Sequence, residues 1–336
     1  MRHILWRTLS RILSRRSGLF AGIIAALLPA ASSLATAQTY PSRPIKLIVA
    51  VLPGGPMDIM ARLIAQHLSS SLGQPVVVEN RPGAGTTLGA KAAASAEPDG
   101  YTLLLGNAGT HAIGPTIYKN AGYDPLTSFA PVAFLSSVPY VMIAGPGVAA
   151  RSVSELLVYA KGHPGKLSFG VPNGAPPHLL AAWFKALTGS DIVIVPYKGA
   201  SAVLTDLLGG QVHAGFETTS VLAGHLDDGK IKPLAVASRE RLPELPDVPT
   251  MAECGFPDFV AASWTAIMAP AGTPAPIVAK LNAEINAGIA SPRLQARFKE
   301  LSAQANPGPP QALAAFVAQE LPKWQAMAKL AGLKAE

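Results

Sequence analysis

The sequence predicts an α/β fold of two lobes, each a mainly parallel sheet flanked by helices. Three observations predict it. Apolar strand patterns alternate with helical patterns from the first strand onward. The alternation runs through twice, once before and once after an irregular stretch. A chain of 336 residues is also long enough to split its core in two.

The elements follow in order. "IKLIVAV" (Ile45–Val51) is almost continuously apolar, as a strand buried on both faces should be. It ends in the loop "VLPGGPMD" (Val51–Asp58). Ile59, Met60, Leu63, Ile64 and Leu68 then fall at helical spacing, and "LGQP" stops that helix. "VVVEN" (Val76–Asn80) is the second strand, "TTLGAKAAASA" a small-residue helix and "YTLLLG" (Tyr101–Gly106) the third strand. This βαβαβ run implies parallel strands joined by right-handed crossovers. The second run has strands at Lys166–Val171, Asp191–Tyr197, Gln211–Glu217 and Ile231–Ser238, separated by helical patterns. The connectors are Ser136–Gly147 and the proline-rich Arg241–Trp264. A short apolar strand (Trp264–Ala269) and helices from about Pro276 to Gly332 follow, without a sheet of their own, and are expected to pack back onto the first lobe. The expected division is a first lobe of 38–139 plus 263–336 and a second lobe of 140–262.

Residues 1–37 are expected to be removed. Five arginines and no acid precede the apolar run Leu19–Leu28, and Ala35-Thr36-Ala37 makes a small-residue cleavage site. Together these read as a secretory signal peptide. The apolar core is about half the roughly 20 residues of a membrane span. Arg15-Arg16 hints at twin-arginine export, although Gly18 spoils the usual apolar follow-up. The whole chain has 27 basic and 20 acidic residues. Without the five leader arginines 22 basic residues face 20 acidic ones, so the basic balance is largely the leader's and gives no case for nucleic acid. A single cysteine, Cys254, excludes an internal disulfide and a thiolate zinc cluster.

The candidate sites are loops at strand ends, where open parallel sheets bind ligands. The first is Pro53, Gly54, Gly55, Met57 and Asp58. Its glycines admit close backbone approach, and the following helix N-terminus favours an anion. Asp58 reads equally well as a carboxylate capping that helix. No Lys-Ser/Thr pair follows, so this is not a phosphate P-loop. "GAGTTLG" (Gly83–Gly89) lacks the spacing and the ribose-holding acid of a dinucleotide fingerprint and reads as a helix-packing stretch. Asn107, Thr110 and His111 follow the third strand and are expected to share the first loop's crevice. In the second run Asn173, Gly174, His178, Tyr197, Lys198 and Gly199 occupy the equivalent positions. There is no nucleophile elbow and no metal-ligand spacing, so nothing calls for a catalytic group, a metal or a cofactor.

Long stretches resemble a known family. "YPSRPIKLIVAVLPGGPMDIMARLIAQHL", "GQPVVVENRPGAGTTLGAKAAASAEPDGYTLLLGNAGTHAIGP", "VPYKGASAVLTDLLGGQV" and "SWTAIMAPAGTP" are similar to the Bug family, the periplasmic substrate-binding proteins of tripartite tricarboxylate transporters. The resemblance covers the chain from Tyr40 on. It implies a two-lobe periplasmic-binding-protein fold of the Venus-flytrap type II class. It implies a small carboxylate held mainly by backbone N–H groups, small polar side chains and waters. It maps the binding segments onto Pro53–Asp58, Asn107–His111, Asn173–His178 and Tyr197–Gly199. The sequence departs from the family pattern at Leu52, Pro56 and Met57, where proline, a small residue and a hydroxyl residue are usual. Pro56 removes an N–H and Met57 a hydroxyl donor. The expected ligand is therefore an acid with an apolar or aromatic body and one carboxylate, not citrate. The alternative is that the loop no longer binds an acid.

The expectation is a monomeric periplasmic receptor that passes a small organic acid to membrane transporter subunits. A receptor signalling to a membrane kinase, and a secreted enzyme acting on a carboxylate or ester with His111 or His178 as base, stay open as alternatives.

Overall fold

The first strand, β1 (Ile45–Val49), is buried at four of its five residues, and it sits at the centre of a parallel trio. The computed structural model describes residues 40–118, 120–222, 224–225 and 229–333; the leader expected over 1–37 lies outside them. Helix α1 (Pro56–Leu72) buries Met60, Ala61, Ile64, Ala65 and Leu68, the stripe its 3.6-residue spacing dictates, and stops at Gly73 in the left-handed conformation. Strands β2 (Val76–Asn80) and β3 (Thr102–Gly106) pair with β1 on either side, both parallel. Helix α2 (Thr87–Ala94) joins them. After β3 the chain makes a π-helical turn (Gly109–Ile113) that runs into the short helix α3 (Gly114–Ile117).

Strand β4 (Phe129–Ala144) joins the two halves of the protein. Its 16 residues serve two sheets. From Phe129 to Pro139 it pairs antiparallel with β9 (Ala262–Pro270). From Tyr140 to Ala144 it pairs antiparallel with β7 (Ala214–Thr218), and β8 (Lys232–Val236) lies on its other side. The first sheet runs β2-β1-β3-β9-β4. The second continues from β4 through β7 to β5 (Ser168–Pro172) and β6 (Val193–Tyr197), which are parallel to one another. Each sheet is thus mixed: parallel where βαβ units build it and antiparallel where β4 and β9 join it.

The sequence reading takes Ser136–Gly147 as a connector, but most of it is strand. The run is apolar enough to be buried on both faces, and Pro131 and Pro139 sit at or beside places where the pairing changes. The chain returns beside it: Tyr140 N donates to the Ala261 carbonyl, Ala261 N to that of Ala237, and Ala237 N to that of Tyr140.

In the second half α4 (Val153–Gly162), α5 (Pro176–Thr188), α6 (Ala200–Leu208) and α7 (Thr219–Leu222) flank the sheet. The tail holds α8 (Ala275–Ala290), α9 (Pro292–Glu300), the two-residue strand β10 (Gln304–Ala305) and α10 (Pro310–Leu330). It departs from expectation twice. β10 adds to the first sheet beside Ser136 and Ser137, a pairing too short to leave a sequence pattern. And α10 packs on both halves, against the π-helical turn, β4 and α5. One continuous apolar core, holding Leu104, Met268 and Trp264 as well as Phe169, Phe184 and Phe216, includes Trp324 of that helix.

Candidate functional site

The loop after β1 is organised by Asp58. Its carboxylate accepts from Gly54 N (3.0 Å), from Arg62 Nε and Nη2 (2.8 and 3.1 Å) and from Asn80 Nδ2 (3.0 Å). Asn80 Nδ2 also donates to the Val51 carbonyl (3.1 Å). Gly54, at φ +91°, turns its N–H back toward the helix that follows, a conformation glycine adopts without strain. The Arg62 guanidinium, outweighing the effect of burial, holds the Asp58 carboxyl down at about 2. With both oxygens engaged, Asp58 latches the loop to α1 and β2. Gly55, the N-cap of α1, offers no side-chain cap, so the leading N–H groups of the helix stay open toward a ligand.

A cavity of about 730 Å³ opens beside this loop. The first half contributes Met57, Gly85, Thr86, Asn107, Gly109, Ile113, Ile117 and Tyr118. The second contributes Asn173, Gly174, Ala175 and Pro176. Tyr140, Ser263 and Trp264 line it from the two crossing strands, and Gly332 and Leu333 from the end of the chain. None of the described lining residues is charged. A second helix starts here: α5 has Ala175 as N-cap and Pro176 as its first residue, again without a side-chain cap. A smaller cavity of about 180 Å³ shares Met57 and Ser263 with the first.

Glycines permit the close approaches. A Cβ on Gly85 would stand 2.5 Å from the Tyr118 ring, and one on Gly114 would stand 2.6 Å from the Gly109 carbonyl. Leu333 is placed by the helix end: Gly332 is left-handed (φ +69°), its N–H meets the Lys329 carbonyl, and Leu333 N meets that of Ala328. This is a Schellman stop, which turns the following apolar residue back onto its helix.

Of the residues singled out from sequence, Met57, Asn107, Asn173 and Gly174 are brought to the large cavity. Pro53, Gly54 and Gly55 form the turn beside it, and Asp58 faces Arg62 and Asn80 instead. Thr110 and His111 are not in the crevice. Thr110 is fully buried and closes a local ring with Asn107, accepting from Asn107 N (2.9 Å) and donating from its own N–H to Asn107 Oδ1 (2.8 Å). His111 packs at a tilt against Phe129 (4.8 Å) near Trp264, and its burial pushes the imidazole down to about 3, so it is neutral and inside the core. The hydroxyl after a strand belongs to the turn, and the next side chain then points inward.

His178 also stays off the cavity wall, and its Nδ1 accepts from Gly174 N (3.2 Å). Tyr197, Lys198 and Gly199 are likewise not brought there. They follow β6, the outer strand of the second sheet and the one farthest from β4. Tyr197 donates to Asp206 (2.7 Å), and Lys198 is exposed. Strand order, which sequence periodicity does not carry, decides this. The residues missed are Gly85, Thr86, Tyr118, Tyr140, Ser263, Trp264 and Leu333. Gly85 and Thr86 had a signal, a glycine-rich loop at a strand end; the others become visible only in three dimensions.

Among the described residues no cluster of His, Cys, Asp and Glu is placed to hold a metal ion, and no helix is long and apolar enough to cross a membrane. The profile of the tripartite tricarboxylate transporter family receptor, TctC, matches residues 60–333. The chain belongs to this family. Protein BugT of Bordetella pertussis is 39% identical over 301 residues, which span 89% of this chain and 92% of BugT. The structure of the periplasmic binding protein BugD is 40% identical, covers 88% of this chain and 100% of its own, and superposes with a TM-score of 0.73. The R. palustris protein Rpa4515, solved with adipate, is 37% identical over the same shares at a TM-score of 0.76. These relatives are receptors, not enzymes, and their two-lobe binding-protein fold is the fold of this chain.

Proposed function

We propose that this TctC-family receptor captures a small carboxylate in the 730 Å³ cavity and delivers it to membrane subunits of a tripartite transporter. One observation carries the reading. The start of α1 reaches the cavity at Met57 without a side-chain cap, in a wall whose described residues carry no charge. Its leading N–H groups, those of Met57 and Asp58, favour an anion by roughly 0.3–1 kcal/mol, more when partly buried. The start of α5 faces the same cavity but opens on Pro176 and Pro177, and its His178 N–H bonds the Ala175 carbonyl, so it adds its dipole and no free donor. A ligand touching both halves favours the closed arrangement, since it gains contacts only when the halves meet.

The lobes are divided at 139/140 and 262/263, a reading supported on the first side by β4, which pairs with β9 up to Pro139 and with β7 from Tyr140. The leader is cleaved near Ala37, and the mature receptor acts in the periplasm as a monomer. The ligand's body is apolar or aromatic. Ile113, Ile117, Tyr118, Tyr140, Trp264 and Leu333 surround it, and Met57 separates it from the smaller cavity. Adipate, bound in the relative Rpa4515, is a short apolar chain with a carboxylate at each end, so its body fits such a wall.

Calorimetric titration with adipate, benzoate and citrate tests this. Adipate or benzoate is expected to bind in the micromolar range or tighter, and citrate more weakly by tenfold or more, because it brings three carboxylates and a hydroxyl, and little apolar body, to a wall of neutral and largely apolar side chains (about 1.4 kcal/mol per tenfold). Preferential binding of citrate would refute the apolar-bodied ligand.

A further inference from the structure

Two residues of the cavity wall each carry a buried polar side-chain atom with no hydrogen-bond partner among the described residues: the Thr86 hydroxyl and the Trp264 indole N–H. Trp264 is only 1% exposed. An orphaned buried donor costs folding free energy, and native structures rarely leave one without a reason. His111 Nε2 is a third such atom, but its side chain lines a separate cavity beside Phe129 and Met268.

The placement of Thr86 points the same way. It has φ +80°, a left-handed conformation unusual for a β-branched residue, within a loop whose Ala84 and Gly85 are also left-handed. A Cβ on Gly109 would lie 2.9 Å from Thr86 Oγ1 and 3.0 Å from Asn107 Oδ1, so both side chains converge on the start of the π-helical turn. Asn107 Nδ2 donates to the Met57 thioether (2.9 Å), a weak acceptor that a carboxylate oxygen would outcompete. Trp264 reaches the cavity from β9, the strand beside the crossing, with its ring fixed edge-on against Phe316 at 5.5 Å.

We propose that Thr86 Oγ1 and Trp264 Nε1, with Asn107 Nδ2, form an uncharged donor set that holds one carboxylate of the ligand. The proposal rests on the receptor reading above and assigns that site's anion to named side chains of the first half. All three donors are neutral, so recognition works by geometry in a dry site and needs no arginine. A bound carboxylate then supplies the partner that Thr86 Oγ1 and Trp264 Nε1 lack among the described residues.

Trp264→Phe keeps a six-membered aromatic ring and removes the N–H together with the five-membered ring of the indole; Thr86→Val keeps the branched shape and replaces only the hydroxyl by a methyl group. Adipate and benzoate are titrated into the wild type and both variants by calorimetry. Tm is measured alongside, and the indole N–H signal absent from Trp264→Phe is followed in ¹H–¹⁵N spectra of the wild type. The acid that binds the wild type is expected to bind each variant about tenfold or more weakly, because the removed donor leaves a carboxylate oxygen unpaired. Tm of Thr86→Val without ligand should not fall, whereas Trp264→Phe loses packing as well as its donor and should melt somewhat lower; the Trp264 indole signal should move downfield as ligand is added to the wild type. If the wild type binds, both variants bind equally well and the indole signal stays still, the donor set is wrong while the receptor reading stands. If neither acid binds the wild type, both fall together. Should Trp264→Phe fail to fold, Thr86→Val and the wild-type indole signal decide.

Discussion

Trp324→Ala is expected to lower the stability of the protein by about 4–5 kcal/mol, read as a fall in the denaturant midpoint at unchanged slope. Three consequences of the substitution add up. Trp324 is fully buried in the core that runs through both halves, and truncation leaves a cavity the size of an indole. Its Nε1 donates to Glu320 Oε2 (2.7 Å), a nearly buried carboxylate that Lys323 also holds, and the substitution removes one of these supports. Finally, α10 is the element that packs on α5 as well as on β4 and the π-helical turn, so loosening it loosens the contact between the halves. Leu333 follows this helix into the cavity, so ligand affinity should fall together with stability. Trp324→Phe should recover part of both. A loss below about 1 kcal/mol for the alanine variant would show that α10 does not close the core.

Asp58→Ala should cost about 2–3 kcal/mol at neutral pH, because it leaves the Gly54 N–H, the Asn80 amide and the Arg62 guanidinium without their shared acceptor. The same residue sets a pH dependence. Its folded carboxyl titrates near 2 against an ordinary 3.8, mainly because Arg62 donates to it. A depressed carboxylate stabilises the fold above the unfolded value and ceases to do so as pH falls through the folded one. The contribution is therefore complete above about pH 4 and disappears between pH 4 and 2. Its size is about 1–2 kcal/mol once solvent screening at the half-exposed Arg62 is allowed for. Denaturant midpoints measured from pH 7 to 2 should converge for wild type and Asp58→Ala at the acid end. Parallel curves over that whole range would contradict the latch.

What could be read from the sequence was local. The apolar run of β1, the paired glycines after it and the stripe of α1 announce a strand, a tight turn and a helix through neighbours a few residues away. The N-terminus of α4 was legible too: Ser152 Oγ accepts from Glu155 N (3.1 Å), the Ser-x-x-Glu signature of a capping box, yet the reading passes over it. What could not be read was partnership at long range. β4 exchanges β9 for β7 at Tyr140, and its own residues look the same on both sides of that change. The outer position of β6 keeps Tyr197–Gly199 away from the cavity, although their loop chemistry matches that of Asn173 and Gly174. His111 was expected to share the crevice because it follows a strand; a single turn of π-helix sends it into the core.

The departures at Pro56 and Met57 acquire a physical meaning in the fold. Pro56 occupies the first position of α1, where its missing N–H costs the helix nothing but removes one donor from the anion site. Met57 faces the cavity, where the Asn107 amide holds its sulfur, and it replaces a polar wall with an apolar one. Both changes leave recognition to the remaining N–H groups at the start of α1 and to neutral side chains.

The receptor reading puts a carboxylate in the cavity between the two sheets, and a crystal structure of the protein with its tightest-binding acid would show it. The acid is expected between Met57, Asn107, Asn173 and Trp264, with its carboxylate at Thr86 Oγ1 and Trp264 Nε1 and contacts to both sheets. An acid bound outside that cavity, or touching only one sheet, would contradict it.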